Sequence, residues 1–137
     1  MEKHFNKIVV TGGAGTCGDV IIKELLSEFD FEEVISLDSD EGKLFFQNQM
    51  LGKDQRYRPS FTDIRDTDQL KYEFADADVI IHCAAFKNVP MCEMAPSSCV
   101  QTNIQGTENI IDAALATNVS KVLFTSSDKA VNPTNIM

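Results

Sequence analysis

Short, almost wholly apolar runs separated by stretches of helical period restrict the fold of this 137-residue chain more than any other feature. Ile8-Val9-Val10, Val34-Ile35-Ser36-Leu37, Val79-Ile80-Ile81 and Val122-Leu123-Phe124 are such runs. Continuous apolar strands imply burial on both faces, the condition of a parallel sheet. Between them, Val20, Ile21, Ile22, Leu25, Leu26 and Phe29 recur at helical spacing. A polar helix is expected over 41–51, a weak strand near 56–61 and a helix over 67–74. A long helix is expected over 97–117, with Val100, Ile104, Thr107, Ile111 and Ala114 on one face and Ile110 and Leu115 widening it. Strand and helix thus alternate from end to end, with no repeat, low-complexity tract or linker. That order predicts one three-layer α/β/α domain over 1–137, a doubly wound parallel sheet of Rossmann type with strand order 3-2-1-4-5 and right-handed crossovers.

A chain of this length buries a core without help from metals or disulfides. No apolar run approaches the roughly 18 residues of a membrane span. The start, MEKHFNKIVVTGG, has too short an apolar stretch for a signal peptide and enters the first strand directly. Cys17, Cys83, Cys92 and Cys99 form no CxxC pair, and no His lies at zinc-finger spacing, so they are expected as reduced, mostly buried thiols in a cytoplasmic protein. The net charge of -9 repels nucleic-acid backbones and anionic lipid surfaces, which leaves a small ligand as the favoured partner. An anionic ligand must then be held by local backbone dipoles.

Thr11-Gly12-Gly13-Ala14-Gly15-Thr16-Cys17-Gly18 supplies such dipoles, lying between the first strand and the first helix. Gly12, Gly15 and Gly18 allow a tight turn, backbone approach to a diphosphate and close helix–strand packing, and the helix start around Thr16 and Cys17 offers N–H groups to the anion. Strand before, helix after and an acid 20 residues beyond Gly18 agree on dinucleotide binding. That acid, Asp38, ends the second strand, where a carboxylate accepts hydrogen bonds from ribose hydroxyls and repels a 2′-phosphate. Ser39-Asp40-Glu41 adds no arginine, so NAD is favoured over NADP. The alternative is that Asp38 or Ser39 only caps the next helix.

Asp63 and Ile64 follow the third strand, placed either to meet the adenine amino group and ring or, with Asp66 as an N-cap and Arg65 as a surface charge, to serve structure alone. After the fourth strand, His82-Cys83-Ala84-Ala85-Phe86-Lys87 brings Ala84, Ala85 and Lys87 close to the cofactor's ribose and diphosphate, with His82 read as a packed strand-end residue. Asn103, early in the long helix, is expected to bond backbone of a neighbouring strand. The last strand runs into Ser126-Ser127-Asp128-Lys129, then Ala-Val-Asn-Pro-Thr-Asn-Ile-Met137.

Together, TGGAGTCG, DIRD, HCAAFKNVPMCE, TNIQGTENIIDAA and SSDKAVNPTNIM resemble the extended short-chain dehydrogenase/reductases, and more narrowly the UDP-N-acetylglucosamine 4,6-dehydratase type of bacterial polysaccharide biosynthesis. The resemblance implies catalytic positions at Ser127, Asp128, Lys129 and Met137. It also implies a nucleotide-sugar substrate, a homo-oligomer at full length, and an internal redox reaction in which hydride leaves C4 for NAD, water leaves C5–C6 and hydride returns to C6. In that family Ser127 would bond the C4 oxygen, Asp128 act as acid at the C6 hydroxyl and Lys129 as base at C5. The family places a tyrosine where Met137 stands, although a subgroup of larger dehydratases carries methionine there, and a thioether neither takes nor gives a proton. The substrate-binding segments of the family are expected to lie beyond Met137, which predicts a chain that binds NAD without turning over a sugar. A 4-epimerase and a non-catalytic dinucleotide sensor are the competing readings.

Overall fold

The computed structural model describes residues 5–127 and Val131. Its elements are β1 (Phe5–Thr11), α1 (Thr16–Glu28), β2 (Phe31–Asp38), α2 (Glu41–Leu51), β3 (Tyr57–Phe61), α3 (Thr67–Phe74), β4 (Val79–His82), α4 (Val89–Met94), α5 (Pro96–Val100), a π-helical segment (Gln101–Gln105), α6 (Gly106–Ala116) and β5 (Lys121–Phe124). All strands run parallel in the order β3-β2-β1-β4-β5, the expected Rossmann-type sheet.

β1 is central, pairing Ile8, Val9 and Val10 with Val34, Ile35 and Ser36 on one side and with Val79, Ile80 and Ile81 on the other. Side chains alternate along a strand, so its apolar run feeds two cores. Ile8 and Val10 join Ile22, Phe31, Val34, Tyr57 and Val79 beneath α1 and α2. Val9 joins Ile35, Leu37, Leu70, Phe74, Ile80, Ile110 and Ala113 beneath α3 and α6. β5 forms as expected but its apolar residues are not buried: Val122, Leu123 and Phe124 are 42%, 55% and 57% exposed, because no described element covers this edge strand.

Helix starts follow local chemistry. Asp40 caps α2 by accepting the Lys43 N–H, so the cap belongs to Asp40 rather than to Asp38 or Ser39. Asp66 caps α3 through the N–H groups of Asp68 and Gln69, one of the two uses left open for this segment. α4 was not foreseen, although Asn88 as cap and Pro90 just inside the helix carry a recognisable start signal.

The long helix departs most from expectation. It is broken by the π-helical segment, whose wider turn closes with the Gly106 N–H on the Gln101 carbonyl. One extra residue in that turn rotates the faces that follow. The buried side of α6 is Gly106, Asn109, Ile110, Ala113 and Ala114, while Val100, Ile104, Ile111 and Leu115 are exposed. Gly106 marks a close approach of α6: a Cβ there would lie 2.6 Å from Ile64 Cδ1, so a larger residue requires the Ile64 side chain to shift.

Candidate functional site

In an open parallel sheet, ligands bind beyond the carboxyl ends of the strands where the order reverses, here between β1 and β4. Two adjoining cavities of about 420 and 500 Å³ lie there. Both are bordered by Gly12, Gly15, Ala84, Ala85 and Lys87, so they form one groove passing over the glycine turn.

The turn is shaped by backbone requirements. Gly12 has φ +67°, and a Cβ there would lie 2.7 Å from the Ala84 nitrogen. The segment after β4 therefore closes directly over the turn. Gly15 is the N-cap of α1 and has no side chain to cap it, so no side-chain cap bonds the first-turn N–H groups. Thr16, Cys17 and Gly18 line the second cavity at that helix start. Cys17 is exposed, against expectation, whereas Cys92 and Cys99 are buried and Cys83 is intermediate.

Asp38, Ser39, Asp63 and Ile64 line the first cavity. The Asp38 carboxylate accepts the Ala14 N–H at 3.1 Å and the Asp40 N–H at 3.0 Å, which fixes its orientation at the end of β2. Asp63 is engaged by Arg65, whose side chain and backbone N–H both donate to it, and this pairing holds the Asp63 carboxyl below the usual carboxylate range. Ile64 is 5% exposed, with most of its side chain in the core against Gly106. Lys43 also borders this cavity, ion-paired with Asp40 at 3.0 Å; as a lone lysine in a helix start it carried no sequence signal.

Asn103 holds the loop after β4. Its Oδ1 accepts the Phe86 N–H at 2.8 Å and its Nδ2 donates to the Phe86 carbonyl at 3.0 Å. The expected amide-to-backbone bond is thus present, though to the loop beyond the strand. His82 is a packed strand-end residue as anticipated: 3% exposed, Nδ1 2.6 Å from Thr11 Oγ1, its ring 5.0 Å from that of Phe124. Burial pushes the imidazole down to about 4, so it is neutral at pH 7.

Ser127 lines the second cavity beside Thr125 and Ser126. Thr125 is held by two bonds to the His82 carbonyl, from its N–H at 3.2 Å and its hydroxyl at 3.0 Å. Asp128, Lys129 and Met137 lie outside the described residues. Among the described residues no group of side chains could hold a metal ion, and no helix is long and apolar enough to cross a membrane.

This geometry has close counterparts. The chain is 42% identical over 130 residues to an uncharacterised membrane protein of Methanocaldococcus jannaschii. It is 38% identical over 130 residues to an inverting UDP-N-acetylglucosamine 4,6-dehydratase of Campylobacter jejuni, covering 94% of this chain and 38% of that protein. A UDP-glucose 4-epimerase of Rickettsia canadensis is 33% identical over 137 residues, covering 95% of this chain and 39% of that protein. The chain therefore spans well under half the length of these relatives. Among solved structures, Pen from Bacillus thuringiensis superposes with a TM-score of 0.92 at 36% identity, covering 96% of this chain and 42% of that one. The dTDP-glucose 4,6-dehydratase DesIV of Streptomyces venezuelae, solved with NAD bound, superposes with a TM-score of 0.76 at 32% identity, covering 84% and 37%. The family model for polysaccharide biosynthesis proteins matches residues 8–137, and with the glycine turn and strand order in place the chain belongs to that family of nucleotide-sugar-modifying short-chain dehydrogenase/reductases.

Proposed function

We propose that this chain is the NAD-binding part of a nucleotide-sugar 4,6-dehydratase acting on a UDP-N-acetylhexosamine. The observation that carries the reading is the groove between β1 and β4. It has an uncapped helix start at one point, an oriented carboxylate on Asp38 at one end and Ser127 at the other. These features fit a dinucleotide: diphosphate on the N–H groups of Thr16, Cys17 and Gly18, adenosine ribose on Asp38, and the redox ring toward Ser127. Asp63 and Ile64 then border the adenine, and Ala84, Ala85 and Lys87 the ribose–diphosphate link. The negative charge of Asp38 disfavours a 2′-phosphate, hence NAD over NADP.

The bound cofactor supplies a hydride acceptor and donor. This chain's residues position and move protons. Ser127 holds the C4 oxygen of the sugar, Asp128 protonates the departing C6 hydroxyl, and Lys129 takes the C5 proton. Met137 cannot relay a proton, which leaves Asp128 or a water on Ser127 to take the proton of the C4 hydroxyl. This chain covers under two fifths of the matched dehydratase and epimerase relatives, and positioning of reacting groups is worth roughly 7–11 kcal/mol of a barrier.

The test is calorimetric titration with NAD and NADP, followed by incubation with NAD and UDP-N-acetylglucosamine. NAD binding without turnover is the expected result. Absence of NAD binding, or appearance of a 4-keto-6-deoxy sugar from this chain alone, contradicts it. The epimerase relative supports a second reading, 4-epimerisation, which needs no acid at C6. In a protein of the relatives' length, Asp128→Asn leaves an epimerase active and cripples a dehydratase.

A further inference from the structure

α2 buries one amide among strands and turn. Gln47 is 5% exposed and uses every hydrogen-bonding position it has. Its Nε2 donates to the Gly13 carbonyl at 2.9 Å and to Asp19 Oδ1 at 2.8 Å. Its Oε1 accepts the Ser36 hydroxyl at 2.6 Å and the Tyr57 hydroxyl at 3.0 Å. One side chain thereby joins the glycine turn, the first turn of α1, β2 and β3.

Two of those partners bear on anion binding. Gly13 is gripped at both ends of its backbone, its N–H on the Leu37 carbonyl at 3.1 Å and its carbonyl on Gln47. The turn is thus held against β2 immediately before the helix start at Gly15. Asp19 sits in the first turn of α1, where a free carboxylate would compete with an incoming anion for the helix dipole. Gln47 on one oxygen and Lys23 on the other, at 2.6 Å, engage that carboxylate. Burial raises the Asp19 carboxyl, but the bonds from Lys23 and Gln47 outweigh it and hold it below the usual range, so it stays charged and needs this engagement.

We propose that Gln47 is a positioning residue for diphosphate binding: from outside the groove, it fixes the Gly13 carbonyl and draws the Asp19 carboxylate away from the start of α1. The inference rests on the dinucleotide reading above. It goes beyond it by assigning part of the diphosphate affinity to a buried residue on the far side of the turn, supported from β3 by Tyr57.

The test separates ligands by chemistry. Wild-type protein is titrated with NAD, ADP and adenosine, and failure to bind any of them rejects the dinucleotide reading itself. Given binding, Gln47→Glu keeps the acceptors for Ser36 and Tyr57 but removes both donations and adds a charge beside Asp19. It is expected to weaken NAD and ADP about tenfold or more, one to two hydrogen bonds' worth, while adenosine affinity stays within about twofold of wild type, the measured scatter of a remote change. Gln47→Leu gives the same split. A merely structural role would lower the melting temperature and leave the three affinities of the folded protein unchanged, or reduce all three alike; either pattern overturns the proposal. If neither Gln47 variant folds, Tyr57→Phe removes only the hydroxyl on Gln47. It is expected to weaken ADP about threefold without affecting adenosine, roughly half a hydrogen bond's worth, and equal ADP affinity in that variant overturns the proposal.

Discussion

Asp38 and Ala14 are joined by a bond from the Ala14 N–H to the Asp38 carboxylate, 3.1 Å long and spanning 24 residues of chain. The acid proposed to meet the ribose therefore also pins the turn proposed to hold the diphosphate. On the proposed reading, cofactor choice and turn geometry depend on one side chain.

Replacing Asp38 by Ala should accordingly do two things at once. NAD affinity falls because the turn loosens, and the preference for NAD over NADP shrinks by about tenfold, or roughly 1.4 kcal/mol, as the repulsion of the 2′-phosphate disappears. Parallel titrations with both dinucleotides measure the ratio. A weaker NAD complex at an unchanged ratio would restrict Asp38 to holding the turn.

Glycine positions should split by environment. Gly12→Ala forces a Cβ onto the backbone of Cys83 and Ala84 at a positive φ, and the variant should lose about 2–4 kcal/mol, left-handed strain plus displacement of the β4 end. Gly42→Ala meets only Asp40 Oδ1 at 3.5 Å in the first turn of α2 and should gain about 0.5 kcal/mol through helix propensity. Urea unfolding of the two variants beside wild type reads both signs.

Acid should destabilise the fold through His82. Its folded value is about 4, below the roughly 6.5 of an unfolded histidine, so protonation favours the unfolded chain. The contribution is fully present above about pH 6.5 and is lost progressively as pH falls toward 4, reaching about 3 kcal/mol. Unfolding free energies between pH 7 and 4 should show this slope in wild type, and His82→Gln should remove that component of it.

Glu73 is 7% exposed and bound by Arg58 at 2.8 Å and by Ser60 at 2.7 Å. Burial raises its carboxyl, but the Arg58 and Ser60 bonds outweigh that and leave it below the usual range. Arg58→Met strands a buried carboxylate and should cost about 2–3 kcal/mol, discounted from the fully buried case because the arginine is 40% exposed. Adding Glu73→Gln should restore more than half of the loss in a double-mutant cycle.

Periodicity carried the sequence reading where one residue type has one plausible use. Ile8-Val9-Val10 can only be a strand buried on both sides, and Gly12, Gly15 and Gly18 between it and an amphipathic helix can only be a tight turn onto a helix start. His82 as a packed strand end and Asn103 as a backbone clamp were legible for the same reason, whereas Asp66 as a cap was one of two open readings. The helix over 97–117 was legible as a helix, but of its expected face only Ile110 and Ala114 are buried. A single inserted π turn, invisible in composition, exchanged Ile104 and Ile111 for Asn109 and Ala113 at the core.

The order of strands, the position of the groove and the chemistry of the turn follow from the chain alone, because alternating apolar runs and right-handed crossovers leave few other arrangements. What joins across the sheet does not. That Asp38 reaches Ala14, that Gln47 spans four elements, and that Gly106 seats against Ile64 depend on distances between residues remote in sequence. Only close packing in three dimensions decides which polar groups meet, since each buried one must find a partner wherever the fold happens to bring one.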